Sequence, residues 1–284
     1  MSMMTKLKSF PELLRRMYAF YDRTNLIRYV KPSIRWEMEL ERRLASELYL
    51  ERYGFKVYSQ NEEDGVISEI FARIGTTNKT FIEFGVQDGL KCNTHFLLHM
   101  GWKGLWIEGG EEYCRAIQTK FRHVIESGQL KAVNSFITRE NINNIFAENG
   151  FSGEIDLLSI DIDGNDYHIF KVINAVNPRV IIVEYNAKFP PSCLWIMPYD
   201  ANHIWDGSDK HGASLKAFEE LGAKKGYRLV GTERNGANAF FVREDLAKNL
   251  FASPPTAGNL YNPFGRKIFL SGHPSKEFLP SDNE

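Results

Sequence analysis

Acidic residues follow several short apolar runs of this sequence, in the places where α/β proteins position groups that contact a ligand. The first such stretch is EFGVQDG, residues 83–89. Gly85 and Gly89 let the backbone approach a ligand closely, but their spacing is GxxxG and not the GxGxxG of a dinucleotide-binding fold. Glu83 and Asp88 would repel a pyrophosphate, whereas they tolerate a sulfonium cation and an ammonium group. We therefore predict S-adenosylmethionine as the ligand of residues 83–89, which we call the donor loop.

A second carboxylate, Glu108, ends the next apolar run, GLWIE. An acidic residue at the end of a second strand can accept hydrogen bonds from both hydroxyls of a ribose. Nicotinamide dinucleotides and S-adenosylmethionine share this contact, so Glu108 alone does not separate the two ligands. Together with the donor loop it favours S-adenosylmethionine, because a nicotinamide-dependent oxidoreductase should carry GxGxxG.

A third group of oxygen-bearing side chains follows two later apolar runs. Asp161 and Asp163 stand in DIDGND, and Glu184 and Asn186 stand in EYN. Neighbouring parallel strands end at the same edge of a sheet, so these side chains are expected to meet and to hold Mg²⁺ or another divalent cation. Such an ion would lower the pKa of an acceptor hydroxyl. In the structural alternative, Asp161 only positions the donor, Asp166 caps the next helix and Glu184 bonds to backbone.

The acceptor is expected to bind in the long connection between residues 186 and 214, because long connections in compact domains are usually functional. Rings that could stack on a sugar and acidic groups that could bind its hydroxyls occur together there: Phe189, Trp195, Tyr199, Trp205, Asp206 and Asp209. His211 is the candidate general base, since an imidazole accepts a proton near neutral pH. His95 is its rival near the donor loop, and His168 is expected on a helix surface. The alternative role of the connection is a structural flap over the sheet edge.

From residue 60 onward, strand-like apolar runs alternate with helical stretches, which predicts a parallel sheet with helices on both faces. The last two runs, residues 227–232 and 237–242, are separated only by a turn containing Asn235-Gly236. They must therefore pair antiparallel, because a parallel crossover needs about a dozen residues. The predicted fold class is α/β: a doubly wound, mostly parallel sheet that ends in an antiparallel hairpin. The carboxyl ends of its parallel strands would position the carboxylates described above.

The first part of the chain has a different pattern, in which helical spacing dominates. We expect a helical extension over residues 1–53 and one larger domain over residues 54–284. Helical stretches are predicted around residues 13–21 and, after Lys31-Pro32, over about residues 34–50. They are expected to pack on the main body or on a second copy of the chain, which would give a homo-oligomer.

Composition excludes several classes of protein. The 284 residues carry 35 Lys and Arg against 36 Asp and Glu, a net charge of -1, so no overall field would attract nucleic acid. No apolar run approaches the ~20 residues of a membrane-spanning helix. The first residues lack the apolar core of a secretory signal, and the three cysteines are widely spaced, so a cytoplasmic protein is expected.

Together these stretches resemble the FkbM-like branch of the class I S-adenosylmethionine-dependent methyltransferases. The matching segments are residues 58–65, 81–89, 102–109, 155–166, 178–186 and 212–242. They span roughly residues 58–245, and the first 50 residues lie outside the resemblance. One departure is in the donor loop, where Gln87 or Asp88 replaces the third glycine of the family.

The resemblance implies a seven-stranded, Rossmann-like sheet and an enzyme that methylates hydroxyls on sugars and secondary metabolites. It implies that the donor loop and Glu108 hold S-adenosylmethionine, that Ser135 or its neighbours lie beside the adenine, and that Asp161 faces the reaction centre. Asp161, Glu184 and Asn186 are also similar to the metal triad of catechol and macrolide-sugar O-methyltransferases.

We therefore expect an O-methyltransferase that uses S-adenosylmethionine and acts on a sugar hydroxyl of a polysaccharide or glycosylated metabolite. Three alternatives remain open. They are a metal-dependent methyltransferase of small phenols, a nicotinamide-dependent oxidoreductase, and a donor-binding module that transfers no methyl group.

Overall fold

The computed structural model describes residues 27–263, with side chains from residue 36 onward. Its helices are α1 (Ile27–Leu44), α2 (Glu63–Ile74), α3 (His95–His99), α4 (Glu111–Lys120), α5 (Arg122–Glu126), α6 (Ile142–Glu148), α7 (Asp166–Val172), α8 (Leu215–Lys224), α9 (Glu244–Ala247) and α10 (Ala257–Leu260). Its strands are β1 (Thr80–Phe84), β2 (Lys103–Glu108), β3 (Leu130–Asn134), β4 (Gly153–Ile160), β5 (Val176–Glu184), β6 (Tyr227–Thr232) and β7 (Asn238–Arg243). A short 3₁₀ helix, Leu50–Tyr53, follows α1.

Within the described residues, seven strands form one sheet in the order β3-β2-β1-β4-β5-β7-β6. The strands from β3 to β5 are parallel, and β7 lies antiparallel between β5 and β6. This confirms the predicted doubly wound α/β class and its terminal hairpin. The chain moves outward from β1 to β3 and then returns to the other side of β1 at β4. A crevice therefore opens between the ends of β1 and β4, where an open α/β sheet binds its ligand.

The central strands are apolar because both of their faces are covered. Along β1, Phe81 packs into the core on one face of the sheet, while Ile82 and Phe84 pack into the core on the other face. On β4, Leu157 packs on the same face as Phe81, and Leu158 packs on the face of Ile82 and Phe84. The near-continuous apolar runs in the sequence are thus the signature of a sheet buried on both sides.

The terminal hairpin brings one more polar residue to the edge of the sheet where the parallel strands end. The second strand of the hairpin, β7, begins at Asn238, one residue later than the sequence predicted. Asn238 pairs in register with Glu184, the last residue of β5. Because β7 runs antiparallel to β5, its first residue lies at the edge where β5 ends.

The part of the extension that the structure describes packs against the main body. Leu50 is fully buried and lies against Gly231 of β6. Arg43 donates hydrogen bonds to Glu51 and to the carbonyl of Tyr261. The domain boundary at residue 53 and the formation of a homo-oligomer stay predictions.

The expected division into two helical stretches at Lys31-Pro32 is wrong, since α1 continues through both residues. Pro32 stands in the second turn of α1, where its ring removes one backbone hydrogen bond without ending the helix. The helical stretch expected around residues 13–21 lies outside the described residues. None of the helices within residues 27–263 is long and apolar enough to cross a membrane.

Replacement of Gly85 by alanine should destabilise the protein. A Cβ at Gly85 would lie 1.4 Å from the carbonyl oxygen of Asp161, and the φ of +77° already disfavours a side chain. The end of β4 cannot move away without disturbing its pairing with β1. We expect the free energy of unfolding to fall by at least about 2 kcal/mol, as measured by denaturant unfolding.

Gly128→Ala is the matched control. Gly128 has a similar φ of +73°, but no atom lies within 4 Å of the position of its Cβ. We expect this variant to lose only about 1–2 kcal/mol, which is the cost of a left-handed conformation. Equal losses in the two variants would contradict the close approach of β1 and β4.

Candidate active site

The donor loop is held in an unusual backbone conformation by its neighbours. Gly85 has a φ of +77° and its N–H donates to the carbonyl of Ile107 on β2. Gln87 has a φ of +50°, and its backbone N–H donates to Oε2 of Glu108 over 2.7 Å. Only a few non-glycine residues adopt positive φ, and such residues cluster at functional sites.

Glu108 lies at the end of β2, beside the donor loop, as the sequence predicted. Its second oxygen, Oε1, accepts a hydrogen bond from the backbone N–H of Gly110 over 2.8 Å. Each carboxylate oxygen thus accepts one backbone hydrogen bond and keeps a lone pair for another donor. The carboxylate is oriented by the chain itself and can still receive two hydroxyls.

Aromatic rings pack against the two glycines that follow Glu108. Tyr113 on α4 packs against Gly110, and Phe136 packs against Gly109. Both rings are nearly half exposed, which is unusual for side chains with so much apolar surface. Ser135, which donates its backbone N–H to the carbonyl of Glu108, stands next to Phe136. A flat ring could stack here beside a ribose.

Glu83 is deeply buried and makes its hydrogen bonds within the protein. Its two oxygens accept the backbone N–H groups of Asn93 and Thr94, and Oε2 also accepts the hydroxyl of Thr94 over 2.6 Å. Burial raises the pKa of this carboxyl above its usual range. Glu83 borders the crevice and fixes the segment that enters α3, while its direct contact with a donor stays a prediction.

The far end of the donor loop is occupied by structural contacts. Asp88 forms an ion pair with Lys120 at 2.7 Å, and this hydrogen bond lowers the pKa of the Asp88 carboxyl. Gly89 has a φ of +78°, and a Cβ there would meet the rings of Trp106 and Phe121. The roles of Asp88 and Gly89 in donor binding stay predictions.

A cavity of about 580 Å³ lies over the crevice and extends toward the hairpin. Its walls come from the loop before α2, the donor loop and the segment after it, the ends of β4 and β5, the connection after β5, and the hairpin. Three lysines line it: Lys56, Lys91 and Lys188. Among its acidic residues are the three whose spacing suggested a metal site in the sequence.

Those three acidic residues come together as a compact group. Asp161, Asp163 and Glu184 each present one oxygen within 4.8 Å of the oxygens of the other two. Burial raises the pKa values of all three carboxyls, and repulsion between neighbouring carboxylates raises those of Asp161 and Glu184 further. Oε2 of Glu184 is buried and has no hydrogen-bond partner among the described residues. The group could bind a cation, which would supply the missing partner.

Asn186 lines the same cavity, but its amide has a structural task. Its Nδ2 donates to the carbonyls of Asp209 and His211, over 2.8 and 3.0 Å. Its Oδ1 accepts the backbone N–H of Lys188 over 3.2 Å. Asn186 therefore holds the connection after β5 against the sheet, and its role as a metal ligand stays a prediction.

His211 is placed in the cavity by that connection. Its Nδ1 lies 3.8 Å from Oε2 of Glu184, which is too far for a hydrogen bond, and neither atom has a hydrogen-bond partner among the described residues. Burial lowers the pKa of His211, partly offset by Asp163. Its rival, His95, is buried against the Tyr58 ring with centroids 4.0 Å apart and does not line the cavity.

One expectation from the sequence and one part of the structural alternative need correction. His168 was expected on a helix surface, but it is half-buried and its Nε2 bonds to the carbonyl of Met197 over 2.7 Å. In the structural alternative, Asp166 capped the following helix. Instead, its two oxygens accept the backbone N–H groups of Ile162 and Gly164, both over 2.8 Å. Asp166 thus shapes the loop that carries Asp163, whose φ is +54°.

The aromatic residues of the connection divide between two roles. Phe189 and Trp195 stack at 4.5 Å and form a small buried core with Met197, as the flap alternative expected. Trp205 lines the cavity, is about half exposed, and lies 5.9 Å from the His211 ring. Trp205 is therefore the ring of this connection that can meet a ligand in the cavity.

Sequence reasoning missed the cavity residues on distant segments. Lys56 and Asn61 precede α2, Lys91 follows the donor loop, and Asn238 begins β7. Nothing in their local sequence marks them as site residues. Only the position of Asn238, at the start of a hairpin strand that must return to the same edge, carried a usable signal.

Comparison with known proteins identifies the class. Residues 119–228 match the family model of the methyltransferase FkbM domain. The match confirms the FkbM-like resemblance, and the protein is an S-adenosylmethionine-dependent methyltransferase. The matched stretch includes Asp161, Glu184 and His211, while the donor loop and Glu108 precede it. No curated protein matches the chain in sequence.

Several solved structures are similar to this chain at low sequence identity and with TM-scores below 0.5. The N-terminal domain of EvdMO1 with SAH bound is 15% identical over 72% of this chain and 94% of that chain, with a TM-score of 0.39. The O-methyltransferase from Bacillus cereus in complex with SAH is 14% identical over 72% and 87%, with a TM-score of 0.41. The O-methyltransferase TomG from Streptomyces achromogenes in complex with SAM is 12% identical over 70% and 87%, with a TM-score of 0.42.

Replacement of Glu108 by alanine should weaken binding of S-adenosylhomocysteine. The variant would lack the carboxylate that is predicted to accept hydrogen bonds from the ribose. We therefore expect the Kd for S-adenosylhomocysteine to rise at least about tenfold, measured by isothermal titration calorimetry. Glu108→Gln keeps one acceptor oxygen and should give a smaller loss. Glu112→Ala, at an exposed position of α4, is the control and should bind as the native protein does. Native affinity in Glu108→Ala would remove the ribose role.

Proposed function

We propose that the protein transfers the methyl group of S-adenosylmethionine to a hydroxyl oxygen of a sugar, in a polysaccharide or a glycosylated metabolite. The observation that carries this proposal is the arrangement along one sheet edge. Glu108 lies beyond the donor loop on one side of the β1–β4 crevice, and a polar cavity extends from the donor loop across the crevice to the hairpin. Asp161 stands between the two regions, at the end of β4.

The donor would lie across the ends of β2, β1 and β4. Glu108 would bind the ribose hydroxyls, and the adenine would lie near Ser135, between the exposed rings of Phe136 and Tyr113. Gly85 would allow the methionine portion to approach the backbone. Asp161 would then face the sulfonium, whose positive charge suits a buried carboxylate. Glu83, Asp88 and Gly89 would shape the loop around the donor.

The acidic group fits a divalent cation such as Mg²⁺. Asp161, Asp163 and Glu184 are hard oxygen ligands, and the unpartnered Oε2 of Glu184 needs a positive or hydrogen-donating partner. Asn186 could add its amide oxygen, which has a second lone pair. A bound cation would lower the pKa of an acceptor hydroxyl.

The residues of the chain itself perform the remaining tasks of the transfer. The acceptor hydroxyl would lie between Trp205 and the end of β4, with its oxygen in line with the methyl carbon and the sulfur. His211 would take the hydroxyl proton as the oxygen–carbon bond forms and the carbon–sulfur bond breaks, releasing S-adenosylhomocysteine. Holding both reactants in this geometry would supply much of the rate.

The walls of the cavity favour a sugar over a phenol. Amides, carboxylates and lysines dominate the lining, and Trp205 offers a single exposed indole face. A sugar presents hydroxyls to such groups and one apolar face to a ring. A phenol needs an apolar slot around its own ring, which this lining does not form. The cavity thus supports a sugar, and not a phenol, as the methyl acceptor.

A methyl-transfer assay distinguishes the two acceptor classes. We expect labelled methyl groups from S-adenosylmethionine to appear on members of a panel of methyl hexopyranosides in the presence of Mg²⁺. Catechol and simple phenols should show no transfer above the rate without acceptor. Transfer to catechol alone would overturn the sugar proposal and favour the phenol alternative.

Replacement of Glu184 by alanine should weaken Mg²⁺ binding. Loss of one of three carboxylate ligands should raise the Kd for Mg²⁺ at least about tenfold, measured by calorimetry. S-adenosylhomocysteine affinity should remain within about twofold of native, since Glu184 lies beyond the donor side. EDTA should abolish methyl transfer by the native protein, and added Mg²⁺ should restore it.

Glu154→Ala is the matched control for Glu184→Ala. Glu154 lies on β4, the neighbour of β5, but at the opposite edge of the sheet, where it pairs with Arg243. Mg²⁺ affinity should be native in this variant. If Glu184→Ala also binds Mg²⁺ with native affinity, no metal is held at this group.

A further inference from the structure

One side chain in the cavity has an unpaired polar atom that the proposed reaction does not use. Three residues that line the cavity have a buried side-chain atom with no hydrogen-bond partner among the described residues: Glu184, His211 and Asn238. The first two already have roles as a cation ligand and as a base. The third atom is Oδ1 of Asn238, in a residue that is only 5% exposed.

The orientation of the Asn238 amide is set by its other contact. Its Nδ2 donates to Oε1 of Glu63 over 2.9 Å. The same carboxylate also accepts the backbone N–H and the side-chain Nδ2 of Asn61. A carboxylate that receives three donors acts as an acceptor, so the NH₂ group of Asn238 must face it. The oxygen of the amide is therefore the atom left without a partner.

The position of Asn238 is on the acceptor side of the site. Strands in a sheet lie ~4.8 Å apart, so β7 lies about 10 Å from β4, with β5 between them. β2, which carries Glu108, lies about the same distance from β4 on the other side. The donor would span β2 to β4. Asn238 is therefore within reach of an acceptor that lies over the ends of β4, β5 and β7, on the side of β4 away from β2.

We propose that Oδ1 of Asn238 accepts a hydrogen bond from a second hydroxyl of the acceptor, one other than the hydroxyl that is methylated. This proposal rests on the proposed sugar methyltransferase function. It narrows the acceptor to a polyol, such as a pyranose ring with a free hydroxyl next to the methylated position. An acceptor with one hydroxyl would leave a buried acceptor atom unpaired, and sites built in this way discriminate strongly against the analogue that lacks the hydroxyl.

The test compares Asn238→Ala with the native protein on two probes. The first is a methyl hexopyranoside that the native protein methylates, and the second is the analogue that lacks the hydroxyl next to the methylated position. We expect the native kcat/KM to be about tenfold or more higher for the first probe. In Asn238→Ala, kcat/KM for the first probe should fall about tenfold, whereas kcat/KM for the deoxy probe should change less than about twofold.

A second variant guards against a loss of folding. Asn238→Ser keeps a small hydroxyl that can accept a hydrogen bond, so it should recover part of the preference for the hydroxyl-bearing probe. Asn177→Ala is the matched control. Asn177 is an exposed asparagine near the start of β5, bonded to the Tyr227 hydroxyl, at the edge of the sheet away from the cavity. It should retain the native discrimination between the probes.

The affinities for S-adenosylhomocysteine and Mg²⁺ separate this proposal from other roles of Asn238. Both should be native in Asn238→Ala. A loss of donor affinity equal to the loss in kcat/KM would place Asn238 in the donor site and overturn the proposal. If glycosides are methylated but Asn238→Ala keeps the native preference between the two probes, the proposal fails while the proposed function stands. If no glycoside is methylated, both fail.

Discussion

The close contact between the ends of β1 and β4 is the constraint on which the site depends. Gly85 lies directly against the carbonyl of Asp161, and no larger residue fits there. The contact turns the donor loop back toward Glu108 on one side. On the other side it sets the start of the loop that carries Asp163. A sheet with the same strand order but a wider separation here would not bring these carboxylates to one crevice.

Electrostatics explain why a charged ligand belongs in this crevice. Three partly buried carboxylates lie close together, which is unfavourable unless positive charge or hydrogen-bond donors compensate for it. Asp166 and Asn186 hold the backbone around these carboxylates by hydrogen bonds, but they do not neutralise the negative charge. A sulfonium, a divalent cation and acceptor hydroxyls would each supply what the group lacks. The site is therefore suited to bind these ligands at the same time.

Much of the fold was predictable because its signals are local. Apolar runs buried on both faces, short turns and a hairpin too tight for a crossover define the strands, and strand ends mark Glu108, Asp161 and Glu184. Other features depend on contacts between distant segments. Two examples are the hydrogen bonds between buried Glu83 and Thr94, and the contact of His168 with the connection after β5. The free oxygen of Asn238 arises from its register with Glu184 and its bond to Glu63, which no local pattern encodes.

A crystal structure of the protein with S-adenosylhomocysteine would test the arrangement of donor and acceptor most directly. The ribose should lie on Glu108, the adenine beside Phe136, and the sulfur at the end of β4 near Asp161. The part of the cavity between Trp205 and Asn238 should remain open. A ligand whose ribose lies away from Glu108, or whose amino-acid portion fills that part of the cavity, would contradict the division of the sheet edge into a donor half and an acceptor half.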